Sequence, residues 1–270
     1  MTLGKLIGRG RTADIYLWGE DKVIKLFYEN FSEKSIDFEF HINKIVQDIY
    51  PNIPKVFEKT RIQNKTGIIF EYIQGPTLLE VFTRNPFSIF KEVKRFVELH
   101  VEMHKCEVAG LNDLKNYLLN DIKRVKELDD NQRNLIIKVL DNLPSKNILC
   151  HRDFHPDNIL YAEKSLVVID WITSVQGAAD VARSYYIMKY GSPMQIISRI
   201  DKLKIKIFRS VASRLYLYHY CKKAKMKRKE IKKWELVTIA ARLKEGITEE
   251  KDFILKRINE LINKASKKKT

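Results

Sequence analysis

Three side chains raise the question of chemistry. Asp153 and Asn158 stand five residues apart in Cys150-His-Arg-Asp-Phe-His-Pro-Asp-Asn-Ile-Leu160, and Asp170 follows twelve residues later, at the end of Leu-Val-Val-Ile. Transfer of a phosphoryl group asks for such a set. One carboxylate orients the attacking hydroxyl and accepts its proton, while an amide and a second carboxylate hold the metal ion that neutralises the phosphates. Asp153 is the candidate for the first role. Asn158 and Asp170 are the candidates for the second, with Mg2+ as the ion and a nucleoside triphosphate as donor. Polar residues at the ends of buried strands would explain any one of the three, but not the loop, the spacing and the following strand together.

Such residues need short strands to carry them. Asn147–Cys150, Asn158–Tyr161 and Leu166–Ile169 are brief apolar runs separated by polar loops. Upstream, Leu3–Gly8, Ile15–Trp18, Lys22–Phe27, Lys55–Arg61 and Gly67–Ile73 read as strands, with a hairpin turn around Asn64–Gly67. Between them Ser32 is placed to cap a helix through about Gln47, with Ile36, Ile42, Ile45, Val46 and Ile49 on its apolar side. Beyond Gly75-Pro76 the pattern turns helical, at about 88–105, 113–127, 131–142 and across much of 177–265. The expectation is an α+β chain: a small β-sheet lobe with one helix over 1–73, a linker at 74–76, and a larger, mostly helical lobe over 77–270.

The first lobe holds further candidates. Gly8 and Gly10, in Gly8-Arg-Gly10-Arg-Thr-Ala, would let backbone N–H groups approach phosphates. Lys25 is flanked by Val23, Ile24, Leu26 and Phe27, so its charge needs a partner. Glu39 shares a helix face with Ile42 and Val46 and points inward; Glu33 and Asp37 are its rivals.

Together these features resemble the protein-kinase-like fold, and within it the aminoglycoside phosphotransferase family, a small-molecule branch that also includes choline kinase-like enzymes. The resemblance runs from about Gly4 to Arg183. Asp153 is followed two residues on by His155 where Ser/Thr protein kinases typically carry Lys, Asp170 is followed by Trp171-Ile172, and Gly177–Arg183 resembles the family's G-x-x-x-D-x-A-R segment. The resemblance implies that Lys25 pairs with nucleotide phosphates and that Ile69–Ile73 is the hinge. There the backbone of Glu71 and Ile73 would meet the adenine edge, with Phe70 behind it and Ile7, Ile15, Leu160 and Ile169 as apolar walls. It also implies that Asp180 braces the catalytic loop and that Arg183 pairs nearby. The activity implied is transfer from ATP, before GTP, to a hydroxyl of a small molecule. A kinase-like fold without catalysis and a Ser/Thr protein kinase are the alternatives.

Composition narrows the setting. The 270 residues are 44% hydrophobic, which suits an ordered globular chain. No apolar run is long enough for a signal peptide or a membrane span, and Cys106, Cys150 and Cys221 are widely spaced, so a cytoplasmic protein is expected. Residues 1–170 carry 25 basic and 25 acidic groups, whereas 171–270 carry 25 basic and 9 acidic, so the net charge of +16 resides entirely in the latter. That excess disfavours a polycationic substrate, although Asp157, Asp180 and Glu235 could still build a local acidic pocket. The basic run Lys222–Lys233 has no interleaved aromatic residues, which favours a solvated face over nucleic-acid binding. His100 and His104, four apart on a predicted helix, read as core or surface residues rather than metal ligands.

Overall fold

The computed structural model describes residues 3–162, 165–171, 174–177, 179–191 and 199–266. Ile172, Ala178 and the basic cluster at 267–269 lie outside the described residues. In chain order come strands β1 (Leu6–Arg9), β2 (Ala13–Leu17) and β3 (Lys22–Phe27), helix α1 (Glu33–Ile49), strands β4 (Val56–Ile62) and β5 (Lys65–Glu71), and helix α2 (Leu78–Arg84). Helices α3 (Ile89–Met103), α4 (Leu114–Arg124) and α5 (Asp130–Asp141) follow. Strands β6 (Ile148–Cys150), β7 (Ile159–Tyr161), β8 (Leu166–Val168) and β9 (Val175–Gly177) then carry the chain through the candidate catalytic residues. Last come α6 (Asp180–Tyr190), α7 (Arg199–Lys223), α8 (Arg228–Lys232), α9 (Glu235–Arg242) and α10 (Thr248–Ser266). This is an α+β chain, strand-rich first and then mostly helical. None of the described helices is long and apolar enough to cross a membrane.

The elements fall into two compact units. The first runs to Arg84 and takes in Pro156–Ser174; the second comprises Asn85–His155 and the chain from Val175 onward. In the first, β1-β2-β3-β5-β4 form one antiparallel sheet. Alternation along β3 sends Ile24 and Leu26 to one face, where they meet Ile69, and Phe27 to the other, where it meets Ala13, Val56, Ile68 and the helix residue Ile36. Helix α1 buries Ile36, Glu39, Ile42, Asn43 and Val46, a 3.6-residue period that places one glutamate among apolar neighbours. Ser32 is its N-cap, but through its carbonyl, which accepts from Ser35 and Ile36; the side chain makes no cap bond.

The β4–β5 turn differs from expectation. It falls at Gln63-Asn64, with Gln63 at φ 52°, and Gly67 lies within β5, opposite Leu26 and Thr60. A Cβ at Gly67 would come within 2.6 Å of the Ile24 Cδ1, so this glycine serves packing rather than turning. Gly75, just past β5, does need glycine freedom: its φ is 154° and a Cβ there would stand 2.3 Å from the Tyr161 carbonyl oxygen. Helix α2 and strand β9 are additions to the sequence reading. In this unit β7 pairs with β8, Ile159 opposite Val168 and Leu160 opposite Val167.

The second unit packs α3 and α6 against α7, and α4 against α5 and α9. Strand β6 pairs with β9, so the loop bearing Asp153 leaves one two-stranded ribbon and Asn158 leads into another. Asp180, at the start of α6, is fully enclosed. Its Oδ1 accepts the Arg152 N–H at 2.7 Å and its Oδ2 accepts the His151 N–H at 2.7 Å, which is the brace expected of it. Two histidines add to the brace. His100 Nε2 lies 3.3 Å and His104 Nε2 3.6 Å from Asp180 Oδ2. His100 Nδ1 meets the Tyr216 hydroxyl at 2.8 Å, His104 Nδ1 meets that of Tyr220 at 2.7 Å, and the His100 ring stacks on Phe154 at 3.9 Å. Burial opposes the Asp180 charge, but the hydrogen bond from His100 and the nearness of the His104 ring hold the carboxyl well below the usual aspartate range.

The same enclosure acts on His100. Burial, and then the neighbouring His104, push its imidazole down to about 3, against about 6.5 in an unfolded chain. A group whose folded value is depressed takes up a proton on unfolding between those two values, so its stabilising effect is lost as pH falls through that window. Thermal melting followed from pH 7.5 to 4.5 should show the midpoint falling below about pH 6.5, and falling less steeply in a His100→Gln variant. Parallel curves for the two proteins would remove His100 as the source.

Candidate active site

Local chemistry explains the first half of the site. Lys25 is central on β3, paired opposite Ile15 and Ile68, so its stem is held between strands and its ammonium has few ways to reach water. It finds two carboxylates instead. Lys25 Nζ lies 2.7 Å from Glu39 Oε1 and 2.8 Å from Asp170 Oδ1. Burial works against the lysine charge, but Asp170 and Glu39 together hold it above the ordinary lysine value. Burial lifts the Glu39 carboxyl, and Lys25 offsets that only in part. The rivals of Glu39 are engaged elsewhere: Glu33 accepts from the Thr66 hydroxyl, and Asp37 pairs with Lys59.

Asp170 is presented by its backbone. The Ile169 N–H donates to the Asn158 carbonyl at 3.0 Å, setting the two candidate metal ligands on neighbouring strand ends. Val168 N–H reaches Asn52, the Trp171 ring N–H reaches the Val168 carbonyl, and Asn43 Nδ2 reaches the Trp171 carbonyl. Asp170 itself sits at φ 67°, a left-handed conformation that costs on the order of 1–3 kcal/mol for a non-glycine residue and persists where surroundings enforce it. Its side chain stays 36% exposed, so one face remains open although Lys25 holds Oδ1. A carboxylate and an amide oxygen are hard donors suited to Mg2+, so this pair fits the ion that the sequence implies.

The remaining nucleotide candidates lie in the same unit. Gly8 lies within β1 and Gly10 opens the β1–β2 turn, where its N–H bonds the Ala13 carbonyl at 2.9 Å. Ile15, Leu160 and Ile169 are partly buried, and Ile7 is 41% exposed, each with surface left over. Phe70 packs against the Ala13–Phe27–Ile36 cluster. Glu71 donates its N–H to the Lys55 carbonyl at 2.8 Å and Tyr72 donates to Asp21 at 2.8 Å, so neighbouring strands anchor the chain on entry to Ile73.

Asp153 belongs to the second unit. Its N–H donates to His151 Nδ1 at 3.2 Å, and Arg152 before it sits at φ 65° with its guanidinium 3.9 Å from the Tyr117 ring centre. The Asp153 carboxylate meets His155 Nε2 at 3.4 Å and Arg183 NH2 at 3.4 Å. Burial opposes its charge, yet the hydrogen bond and charge of His155, with Arg183 behind them, hold it below the usual aspartate range. Arg183 also donates Nε to the Arg152 carbonyl and pairs through NH1 with Glu245 at 2.7 Å. Glu245, Arg242, His100 and His104 were not singled out for these roles by sequence. The one available signal was helical phase, which turns His100 and Arg242 toward the core.

No curated protein sequence matches the chain. The aminoglycoside phosphotransferase APH(2'')-Ib, in an ADP-bound crystal structure, is similar in fold at 19% identity, covering 97% of this chain and 92% of its own, with a TM-score of 0.61. The streptomycin–ATP ternary complex of APH(2'')-IIa gives 18% identity, 97% and 91% coverage, and 0.60. A choline/ethanolamine kinase family protein from Mesorhizobium loti gives 13%, 93%, 81% and 0.55. These establish the kinase-like fold. The profile of the phosphotransferase enzyme family (APH) matches residues 4–200, and with the kinase-like fold around it, the chain belongs to that family.

Proposed function

We propose that the chain transfers the γ-phosphoryl group of ATP, in preference to GTP, to a hydroxyl of a small molecule. The observation that carries this reading is Lys25 held at 2.7 Å from Glu39 and 2.8 Å from Asp170. A strand lysine, a helix glutamate and the proposed metal carboxylate are thereby joined in one charge-balanced group. Family membership and the nucleotide-bound state of structurally similar phosphotransferases support the same assignment.

In this reading residues 1–73 form the nucleotide-binding lobe, 74–76 the hinge and 77–270 the catalytic and acceptor-binding lobe. The β1–β2 turn at Gly8 and Gly10 lies over the phosphates, and Lys25 positions them. The backbone of Glu71 and Ile73 reads the base, beside Phe70 and between Ile15, Leu160 and Ile169. Asn158 and Asp170 would hold Mg2+, whose charge offsets that of the phosphates. Asp153 orients the acceptor hydroxyl. As the new oxygen–phosphorus bond forms, the bond to the bridging β–γ oxygen breaks and the nucleoside diphosphate departs. The hydroxyl proton passes to Asp153. Because Asp153 is held below the ordinary aspartate range, it is a weak base, and its main contribution is placement of the hydroxyl.

The acceptor class follows from charge. Gentamicin and streptomycin occupy related folds, but here residues 171–270 carry 25 basic against 9 acidic groups. A field of that sign slows the approach of a polycation, so neutral or anionic hydroxyl compounds join aminoglycosides as candidates. The thiols of Cys106, Cys150 and Cys221 suit a reducing cytoplasm.

Two variants separate the roles. Phosphate transfer from ATP and GTP with Mg2+ is measured on aminoglycosides, choline, homoserine, sugars and nucleosides. Asp153→Asn should lower kcat by about a thousandfold or more while nucleotide affinity changes little; an unimpaired variant would remove Asp153 from the reaction. Lys25→Met should weaken nucleotide binding by about tenfold or more, the loss of a charge-assisted contact, as read by titration with a non-hydrolysable ATP analogue. Unchanged affinity would refute the phosphate role of Lys25.

A further inference from the structure

The last hundred residues place their cations unevenly. A cavity of about 240 Å3 lies within the second unit, among α6, α7, α8, α9 and α10. None of residues 151–158 lines it, so it is separate from the loop bearing Asp153. Its cationic lining residues are Lys189, Arg228, Lys232 and Arg257. One of the four is neutralised: Arg257 grips Glu235 Oε1 through Nε at 2.8 Å and NH2 at 2.6 Å. The other three make no ion pair with a described carboxylate.

Lys189 is the most telling. It is partly buried, and the partners it finds are aromatic: the Tyr185 hydroxyl at 3.0 Å and the Tyr190 ring, 4.8 Å to its centre. An ammonium drawn into a wall of tyrosines, without a carboxylate, leaves positive potential facing the cavity. Leu217, Ile231 and Ile239 supply apolar surface alongside. A second cavity, of about 470 Å3, shares Leu217 and Arg228 with the first and adds Arg214 and Lys222, also without a described carboxylate partner. Lys222, Arg228 and Lys232 all come from the basic run 222–233. Part of that run therefore borders concave surface instead of forming only a solvated face.

We infer that the first of these cavities binds a small organic phosphate, its phosphate held by Lys189 and Arg228 and its flat or apolar body against Leu217 and the tyrosines. The guanidinium fork suits phosphate oxygens, and the ammonium adds a point charge beside it. Polycations are excluded by the same lining. This site stands whether or not the phosphotransferase reading holds, since it shares no residue with the proposed nucleotide or metal ligands.

Calorimetric titration of the full chain with phenyl phosphate at low salt tests it, with phenol as the uncharged body. Saturable binding of phenyl phosphate but not phenol is expected, weakening as salt is raised. A Lys189→Gln/Arg228→Gln double variant should bind at least about tenfold more weakly. A control variant, Lys91→Gln/Lys105→Gln, which changes cations outside the cavities, should bind as the parent does. Lys25→Met should also leave phenyl phosphate affinity unchanged. No saturable binding, equal binding of phenol, equal loss in the control, or loss in Lys25→Met would each overturn the assignment. Circular dichroism of the double variant should match the parent, since Arg228 is exposed and Lys189 only partly buried; a folded variant with full affinity would also overturn it.

Discussion

A lysine charge drawn out of water is the constraint on which the first unit depends. Lys25 is almost enclosed, with 13% of its side chain exposed. At an effective dielectric of about 20, an ion pair at its distances from Glu39 and Asp170 gains on the order of 6 kcal/mol. Removing each ion from water costs several kcal/mol, and the partial exposure of Asp170 screens its share. The group therefore comes near break-even as a source of stability. Its effect is on position, because any arrangement that separates the charges leaves one of them buried and unpaired. The register of β3, the rotation of α1 and the path of the chain after β8 must all satisfy the same ammonium.

That constraint also explains what could be read in advance. Lys25 among Val23, Ile24, Leu26 and Phe27 had to find an acid, and the phase of Ile36, Ile42 and Val46 turned Glu39 inward while leaving Glu33 and Asp37 at the surface. The Asp153–Asn158 spacing was legible because the loop is local in sequence. The misplaced hairpin turn has a different cause. Gly67 looked like a turn residue, but the space it leaves is filled by Ile24 across the sheet, and Gln63 accepts the positive φ instead. Packing between strands decided the matter, and no local signal carries it.

The second unit shows the same limit more strongly. Pairing of β6 with β9 joins residues on either side of the candidate catalytic segment, and Asp180 reaches back to His151 and Arg152. The histidines that complete its surroundings come from α3 and the residue that ends it, 76 or more positions earlier in the chain. Glu245 meets Arg183 across 62 positions. A family resemblance could point to Asp180 as a brace, but its partners are chosen by how helices pack. His100 looks unremarkable in sequence because a buried neutral imidazole needs only one acceptor and one donor, which Asp180 and the Tyr216 hydroxyl supply.

The arrangement around Asp153 resolves a conflict between holding a carboxylate still and leaving it negative. A lone arginine in tight contact would fix Asp153 but cancel much of its charge, and an acceptor hydroxyl would then gain little from meeting it. Here Arg183 lies 3.4 Å from Asp153 and 2.7 Å from Glu245, so its charge is spent chiefly on Glu245. Arg242 in turn meets Glu245 at 3.1 Å and pairs with Glu250. The alternation of sign along Asp153, Arg183, Glu245 and Arg242 keeps every buried charge accompanied while letting Asp153 keep a net negative potential. Orientation then comes from the His155 and Arg183 contacts, from the Arg152 carbonyl that Arg183 Nε also grips, and from the His151 ring that accepts the Asp153 N–H. In the role proposed for it, a carboxylate so placed would attract a hydroxyl proton in an otherwise basic part of the chain without needing an elevated pKa.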